Sequence, residues 1–249
     1  MNTEHKLIFL AALCFQANRR VARAGNYNLP SGFREVMTFA SRDYPLAGLL
    51  IESSNEIILA FRGTEASIDV IADIDWRQVP YPFVQNGGWT DRGFTRNYQS
   101  IRKDVIKALQ KLSSRKRLYI TGHSLDGAIT TLAALDIASN TRFTQPHVYT
   151  YASPRVGNPE FVKVYNENIH QSTRVVNMYD FVPHFPPRTL PIVNISYKHV
   201  DEKYPIYFQT FSIRENHEIN NYFDSLCNMF PKPCKEICRQ NPKLCPPSQ

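Results

Sequence analysis

The sequence has no apolar run long enough to span a bilayer, no internal repeat, no C-x2-C cysteine pair, and no basic stripe interleaved with aromatics. Each absence excludes something. The longest apolar stretch, Leu7 to Phe15, falls well short of the roughly 20 residues that a transmembrane helix needs. Without a repeat there is no case for a fibrous architecture. Cys227, Cys234, Cys238 and Cys245 follow a C-x6-C-x3-C-x6-C spacing, which lacks the C-x2-C pairs of common zinc sites and reads instead as two disulfides of unspecified connectivity, or as free thiols in a reducing compartment. Arg102, Lys103, Lys107, Lys111, Arg115, Lys116 and Arg117 recur along one expected helix and its exit, which makes a solvated outer face rather than a nucleic-acid surface.

What remains is an ordinary globular composition, 43% hydrophobic and 20% charged over 249 residues, with a formal charge of +7 and a pI near 9.2. That length suits one large α/β domain, and the basic balance suits solubility or an anionic lipid surface. At the N-terminus, Lys6 followed by Leu7 to Phe15 offers two readings: a short signal-peptide core, and an amphipathic helix over residues 5 to 22 with Leu7, Leu10, Ala11, Cys14 and Phe15 on one face. The helix is preferred, because Phe15 is a poor residue three before a cleavage after Ala17 and the polar QANRR end continues the helix.

The stretch RLYITGHSLDGA, from Arg117 to Ala128, organises the rest. Leu118 to Thr121 have the β-branched and aromatic character of a buried parallel strand, and AITTLAALDIA after Gly127 has that of a helix packed on a sheet. Between them, Gly122-His123-Ser124 forms the first half of a nucleophile elbow, whose turn lifts the serine Oγ clear and aims the Leu125 N–H at a developing oxyanion. The glycine expected at position 126 is replaced by Asp126 and appears as Gly127. A carboxylate there, if ionised, opposes charge on the oxyanion.

Strands are expected at Ala47 to Glu52, Glu56 to Arg62, His147 to Ala152 and Thr173 to Met178, with later partly exposed strands over Tyr197 to Phe208. Helices are expected at Phe94 to Leu112, from Pro159 towards Asn168 with Asn158 as cap, and after a cap at Asn216. Glu65 to Trp76 reads either as a short amphipathic lid or as a core helix. Val79 to Gly88 reads as a loop.

Serine hydrolysis needs a base to take the hydroxyl proton and a carboxylate to orient that base, in the chain order Ser, Asp or Glu, His on an open α/β sheet. Ser124, Asp180 and His217 satisfy that order. His123 adjoins the serine but points away in an elbow, and His5, His147 and His170 are poorly placed. His184 and His199 stay open as alternatives to His217 on this reasoning alone.

Five blocks, AFRGT at 60 to 64, TGHSLDGA at 121 to 128, YASPRVGNPEF at 151 to 161, RVVNMYDFVPHFPP at 174 to 187 and NHEINNY at 216 to 222, occur in the order and spacing of the class 3 lipases. The chain resembles that family from about Leu7 to Leu226. The resemblance implies an α/β-hydrolase fold, a mostly parallel central sheet flanked by helices with a short helical lid. The domain would span 1–226, followed by a Cys-, Pro- and Lys-rich tail over 227–249. It implies Ser124 as nucleophile, Asp180 as orienting acid, His217 as base, and Thr64 and Leu125 as oxyanion-hole residues. It also implies a lid containing Ser67, Ile68, Val70 and Ile71, with no metal or cofactor.

The implied activity is hydrolysis of lipid carboxylic esters at a transient lipid–water interface. The alternatives are a non-catalytic lipid-binding member weakened by Asp126, a phospholipase A1 and a feruloyl esterase. Two departures stand out, Asp126 for the usual Gly, and Asp91-Arg92-Gly93-Phe94 where the family usually has His-x-Gly-Phe. The substrate class and the cysteine tail point towards export, whereas the N-terminus lacks a convincing cleavage site. The sequence sets no oligomeric state.

Overall fold

A computed structural model of the chain describes residues 2–22, 27–42, 47–62, 76–190 and 195–247. Its centre is a seven-stranded sheet with spatial order β1 (Arg34–Phe39), β2 (Gly48–Glu52), β3 (Glu56–Phe61), β6 (Arg117–His123), β7 (His147–Tyr151), β8 (Gln171–Asn177) and β11 (Lys203–Ile206). β1, β2 and β3 pair antiparallel, and from β3 to β11 every neighbour is parallel. Two small hairpins lie outside it, β4 (Gln78–Pro80) with β5 (Trp89–Asp91) and β9 (Thr189–Leu190) with β10 (Ile195–Ser196). The first hairpin occupies the flanks of the expected 79–88 loop. Of the late strands expected over 197–208, β11 joins the main sheet as its edge.

Parallel strands need cover on both faces, and the strand sequences supply it. In β3 every residue is buried: Ile57, Leu59 and Phe61 enter one core, while Ile58 and Ala60 enter the other. The first core lies under α2 (Arg92–Gln110), α3 (Leu125–Asn140) and α4 (Pro159–Asn168). The second lies under α1 (Thr3–Ala22), α5 (Ile219–Met229) and α6 (Pro231–Gln240).

Helix α1 departs from the expectation of a single apolar face. Leu7 to Cys14 are all at most 1% exposed, so the helix is covered all round, between the sheet and the two C-terminal helices. Even its polar residues are absorbed: Lys6 Nζ donates to Glu56 Oε2 at 2.8 Å and lies 3.9 Å from the Tyr119 ring centre. Burial pulls the Lys6 ammonium below its ordinary pKa. Gln16 Nε2 donates to the carbonyls of Lys243 and Leu244 at 2.9 and 2.7 Å. The basic row along α2 and its exit also loses members to structure. Arg102 makes a two-pronged pair with buried Asp136, at 2.7 and 2.8 Å, and Lys116 Nζ donates to Glu52 at 2.6 Å.

Helix α5 runs through the 226/227 boundary, with Cys227 inside it. The residues beyond form α6, whose Ile237, with Leu244 after it, is buried in the second core against the N-terminal helix. Cys227–Cys234 and Cys238–Cys245 are disulfides, each closing a loop with a sequence separation of 7. For loops this short, chain-entropy arguments give about 2–3 kcal/mol per bridge. Replacing both cysteines of either pair by serine is therefore expected to lower the urea unfolding free energy by that amount, and an unchanged midpoint would show the bridge to be idle.

Candidate active site

β6 ends at His123 and α3 begins at Leu125, leaving one residue for the turn. Ser124 takes φ 60°, ψ −131°, a left-handed backbone costing a non-glycine residue on the order of 1–3 kcal/mol and typical of nucleophile elbows. Its N–H donates to the Tyr151 carbonyl at 2.9 Å and its carbonyl accepts from Gly127 N–H at 2.9 Å. The tight crossing also dictates where glycine is needed. A Cβ on Gly122 would lie 2.4 Å from the Asp126 carbonyl oxygen, and one on Gly127 would lie 2.7 Å from Ser153 Cβ. Gly127 thus carries the close approach of α3 to the chain after β7. Asp126 is fully buried in the first turn of α3, where a carboxylate is favoured by the helix dipole. Leu125 supplies the first N–H of the helix, one of the donors that no intrahelical acceptor can satisfy.

Three distant segments meet at this turn. Asp180 follows β8, and its Oδ1 accepts from the Val182 N–H at 2.9 Å. His217 ends a 3₁₀ turn over Glu215–His217. The helix cap expected at Asn216 falls instead on Glu218, because the Asn216 side chain is already engaged by the Thr210 N–H at 3.0 Å and hydroxyl at 3.2 Å. His217 Nδ1 lies 2.8 Å from Asp180 Oδ2, and its Nε2 lies 2.7 Å from Ser124 Oγ. A carboxylate only accepts, so the network assigns the proton to Nδ1 and leaves the Nε2 lone pair facing the serine hydroxyl. Ser124, Asp180 and His217 are 1%, 1% and 7% exposed.

The surroundings fix this chain of bonds. Tyr222 donates its hydroxyl proton to Asp180 Oδ2 at 2.7 Å and accepts from the Asn177 N–H at 3.0 Å. Its place in the apolar stripe of α5 is legible from sequence periodicity; its hydroxyl's role is not. His123 lies against His217, ring centres 4.8 Å apart, and donates from Nε2 to the His217 carbonyl at 2.7 Å. Burial, with His217 beside it, pushes the His123 pKa down to about 3, so it is a neutral donor rather than a base. His199 bonds the Pro183 carbonyl at 2.7 Å, and burial next to Arg174 brings its pKa to about 2. His184 is exposed on the loop after Asp180, and its carbonyl accepts from Arg155. Arg155 also donates to the Pro186 carbonyl at 2.6 Å. These contacts make His184 and His199 parts of the loop's support.

Asp91, the second departure, caps α2: its Oδ1 accepts from the Phe94 N–H at 3.0 Å, and its Oδ2 accepts from the Tyr197 hydroxyl at 3.2 Å. Aspartate is among the strongest helix caps, so the substitution has a structural use. Thr64 and the lid positions Ser67, Ile68, Val70 and Ile71 lie outside the described residues. Among the described residues no group of three or more His, Cys, Asp or Glu side chains is arranged to hold a metal ion, and no helix is long and apolar enough to cross a membrane.

Beside Asp180 opens a cavity of about 390 Å³, lined by Met178, Phe181, Phe211, Ile213 and Asn216 among others. Its rim is apolar and open: Phe181, Phe211 and Ile213 are 55%, 90% and 51% exposed.

The family description "Lipase (class 3)" matches residues 58–190, just over half of the chain. The secreted mono- and diacylglycerol lipase A of Penicillium cyclopium is 31% identical over 155 residues, covering 61% of this chain and 48% of that protein. The chain thus spans about half the length of the curated relative it matches. The solved Rhizomucor miehei triacylglyceride lipase superposes with a TM-score of 0.71 at 25% identity, covering 81% of this chain and 79% of that one. A solved triacylglycerol lipase whose catalytic centre is described as a serine protease triad gives 0.70 at 25% identity, with 81% and 79% covered. With residues 58–190 matched and the sheet order and the elbow in place, the chain belongs to the class 3 lipase family and has its α/β-hydrolase fold.

Proposed function

We propose that this protein hydrolyses carboxylic esters of lipids through an acyl-enzyme, with Ser124 as nucleophile, His217 as general base and acid, and Asp180 as the group that orients the imidazole. The observation that carries the reading is the unbroken hydrogen-bond chain from Ser124 Oγ through His217 to Asp180 Oδ2. Ser124 Oγ attacks the acyl carbon as Nε2 takes its proton, and Asp180 stabilises the imidazolium that forms. The tetrahedral oxyanion is met by the Leu125 N–H at the positive end of α3 and by Thr64. The imidazolium then protonates the departing alcohol. Water, deprotonated by the same nitrogen, releases the fatty acid.

The apolar cavity and its exposed aromatic rim support a lipid acyl chain, presented at a lipid–water interface, over a sugar-linked phenolic ester. Ser67, Ile68, Val70 and Ile71 are the lid in this proposal.

A fluorophosphonate probe reacts only with an activated serine. Stoichiometric labelling that disappears in Ser124→Ala is expected, alongside turnover of mono-, di- and triacylglycerols; an unlabelled parent would favour the inert lipid-binding reading. A panel of phospholipid and feruloyl esters run in parallel separates the remaining ester classes.

A further inference from the structure

Behind the loop that carries Asp180 lies a second cavity of about 570 Å³, sharing only Met178 and His184 with the apolar one. Its wall holds five cationic side chains, Arg155, Arg174, Arg188, Lys198 and Lys203. Against them stand two exposed carboxylates, Asp201 and Glu202, and Asp201 already accepts from Asn166 Nδ2 at 2.6 Å.

The two innermost guanidinium groups belong to side chains that are nearly buried, Arg155 at 6% and Arg174 at 7% exposure. Arg174 donates from Nε to the Val200 carbonyl at 2.9 Å, and its two terminal nitrogens have no acceptor among the described residues. No ion pair among the described residues involves any of the five cations. Unpaired buried charge is costly. Burial and then Arg188 lower the Arg155 pKa, and burial and then Arg155 bring that of Arg174 to about 10, although Asp201 acts on it in the opposite direction.

The geometry points to a binding site for a phosphate-type oxyanion in this cavity. Guanidinium forks match tetrahedral oxyanions in shape and charge, and a dianion there relieves the mutual repulsion of the arginines. The shared chemistry is that of inorganic phosphate and of a phosphomonoester lipid headgroup. Because Arg155 also bonds the carbonyls of His184 and Pro186, an occupant bears on the same loop as Asp180. The inference does not depend on Ser124 being catalytic.

Titrating inorganic phosphate into the protein at fixed ionic strength, followed by calorimetry, tests it. Saturable binding of one ion with a Kd of about 1 mM or tighter is expected, a modest affinity for a few charge-assisted bonds. Arg188→Gln and Lys198→Gln, both at exposed positions, are each expected to weaken it about tenfold, the loss of one such contact. Monomeric short-chain phosphatidic acid supplies the second arm. Displacement of phosphate by it assigns the site to a lipid headgroup, and failure to displace assigns it to the free ion. Absence of saturable binding up to about 10 mM, or an affinity unchanged in both variants, overturns the proposal.

Discussion

Ser124→Ala and His217→Ala are each expected to lower kcat towards p-nitrophenyl butyrate by about 10⁶-fold, and the double variant by little more, because residues that act as one unit do not contribute additively. Asp180→Asn is expected to cost less, about 10⁴-fold, since it leaves the geometry but favours the wrong tautomer. These losses should fall on kcat with KM nearly unchanged. In the structure Asp180 Oδ2 receives two donors, His217 Nδ1 at 2.8 Å and the Tyr222 hydroxyl at 2.7 Å. An amide with its oxygen in the Oδ2 place keeps both bonds but turns its NH₂ on the Val182 N–H that Oδ1 accepts from, and the flipped amide presents NH₂ to both donors. A Ser124→Ala variant retaining more than about a thousandth of parental kcat would exceed the residual catalysis that binding and an oxyanion hole alone supply, and would remove Ser124 from the mechanism.

Acid is expected to destabilise the fold well before most carboxylates titrate. Unfolded histidine protonates near pH 6.5, whereas folded His123 does so only at about 3. Its Nδ1 has no hydrogen-bond partner among the described residues, so an added proton would be buried without an acceptor. The unfolded state therefore binds more protons than the native one between those values, and stability falls as pH falls. The slope from this one group is about 1.4 kcal/mol per pH unit. His199, held neutral down to about 2, acts in the same direction. Urea unfolding followed from pH 7 to pH 4 measures the sum. A His123→Gln variant should show a slope shallower by about 1.4 kcal/mol per unit, and one parallel to the parent would show that His123 does not stay neutral in the fold.

Much of the site was legible without coordinates because its parts are local. The elbow needs a buried strand, one strained residue and a helix in a single short stretch, and residues 117–140 contain all three. The strand before Asp180, the cap at Asn158 and the stripe of α2 also follow from short-range pattern, and the structure has them where expected. Patterns that depend on what lies opposite were less legible. The N-terminal helix reads as amphipathic, yet its polar face is covered by the C-terminal helices, which no periodicity within residues 3–22 can reveal. Asn216 has the chemistry of a cap and is diverted by Thr210.

The sequence alone determined the family and the order of serine, acid and histidine, and it pointed to disulfides among the last four cysteines, because each is written in residue identity and spacing. Only the tertiary structure decided what Tyr222, His123 and Asp91 bond, that the His217 ring lies within reach of Ser124, and that five cations and two exposed carboxylates gather round one cavity. Those outcomes depend on side chains from separate segments arriving within about 3 Å of one another, a range over which hydrogen bonds form or fail and which spacing along a chain does not encode.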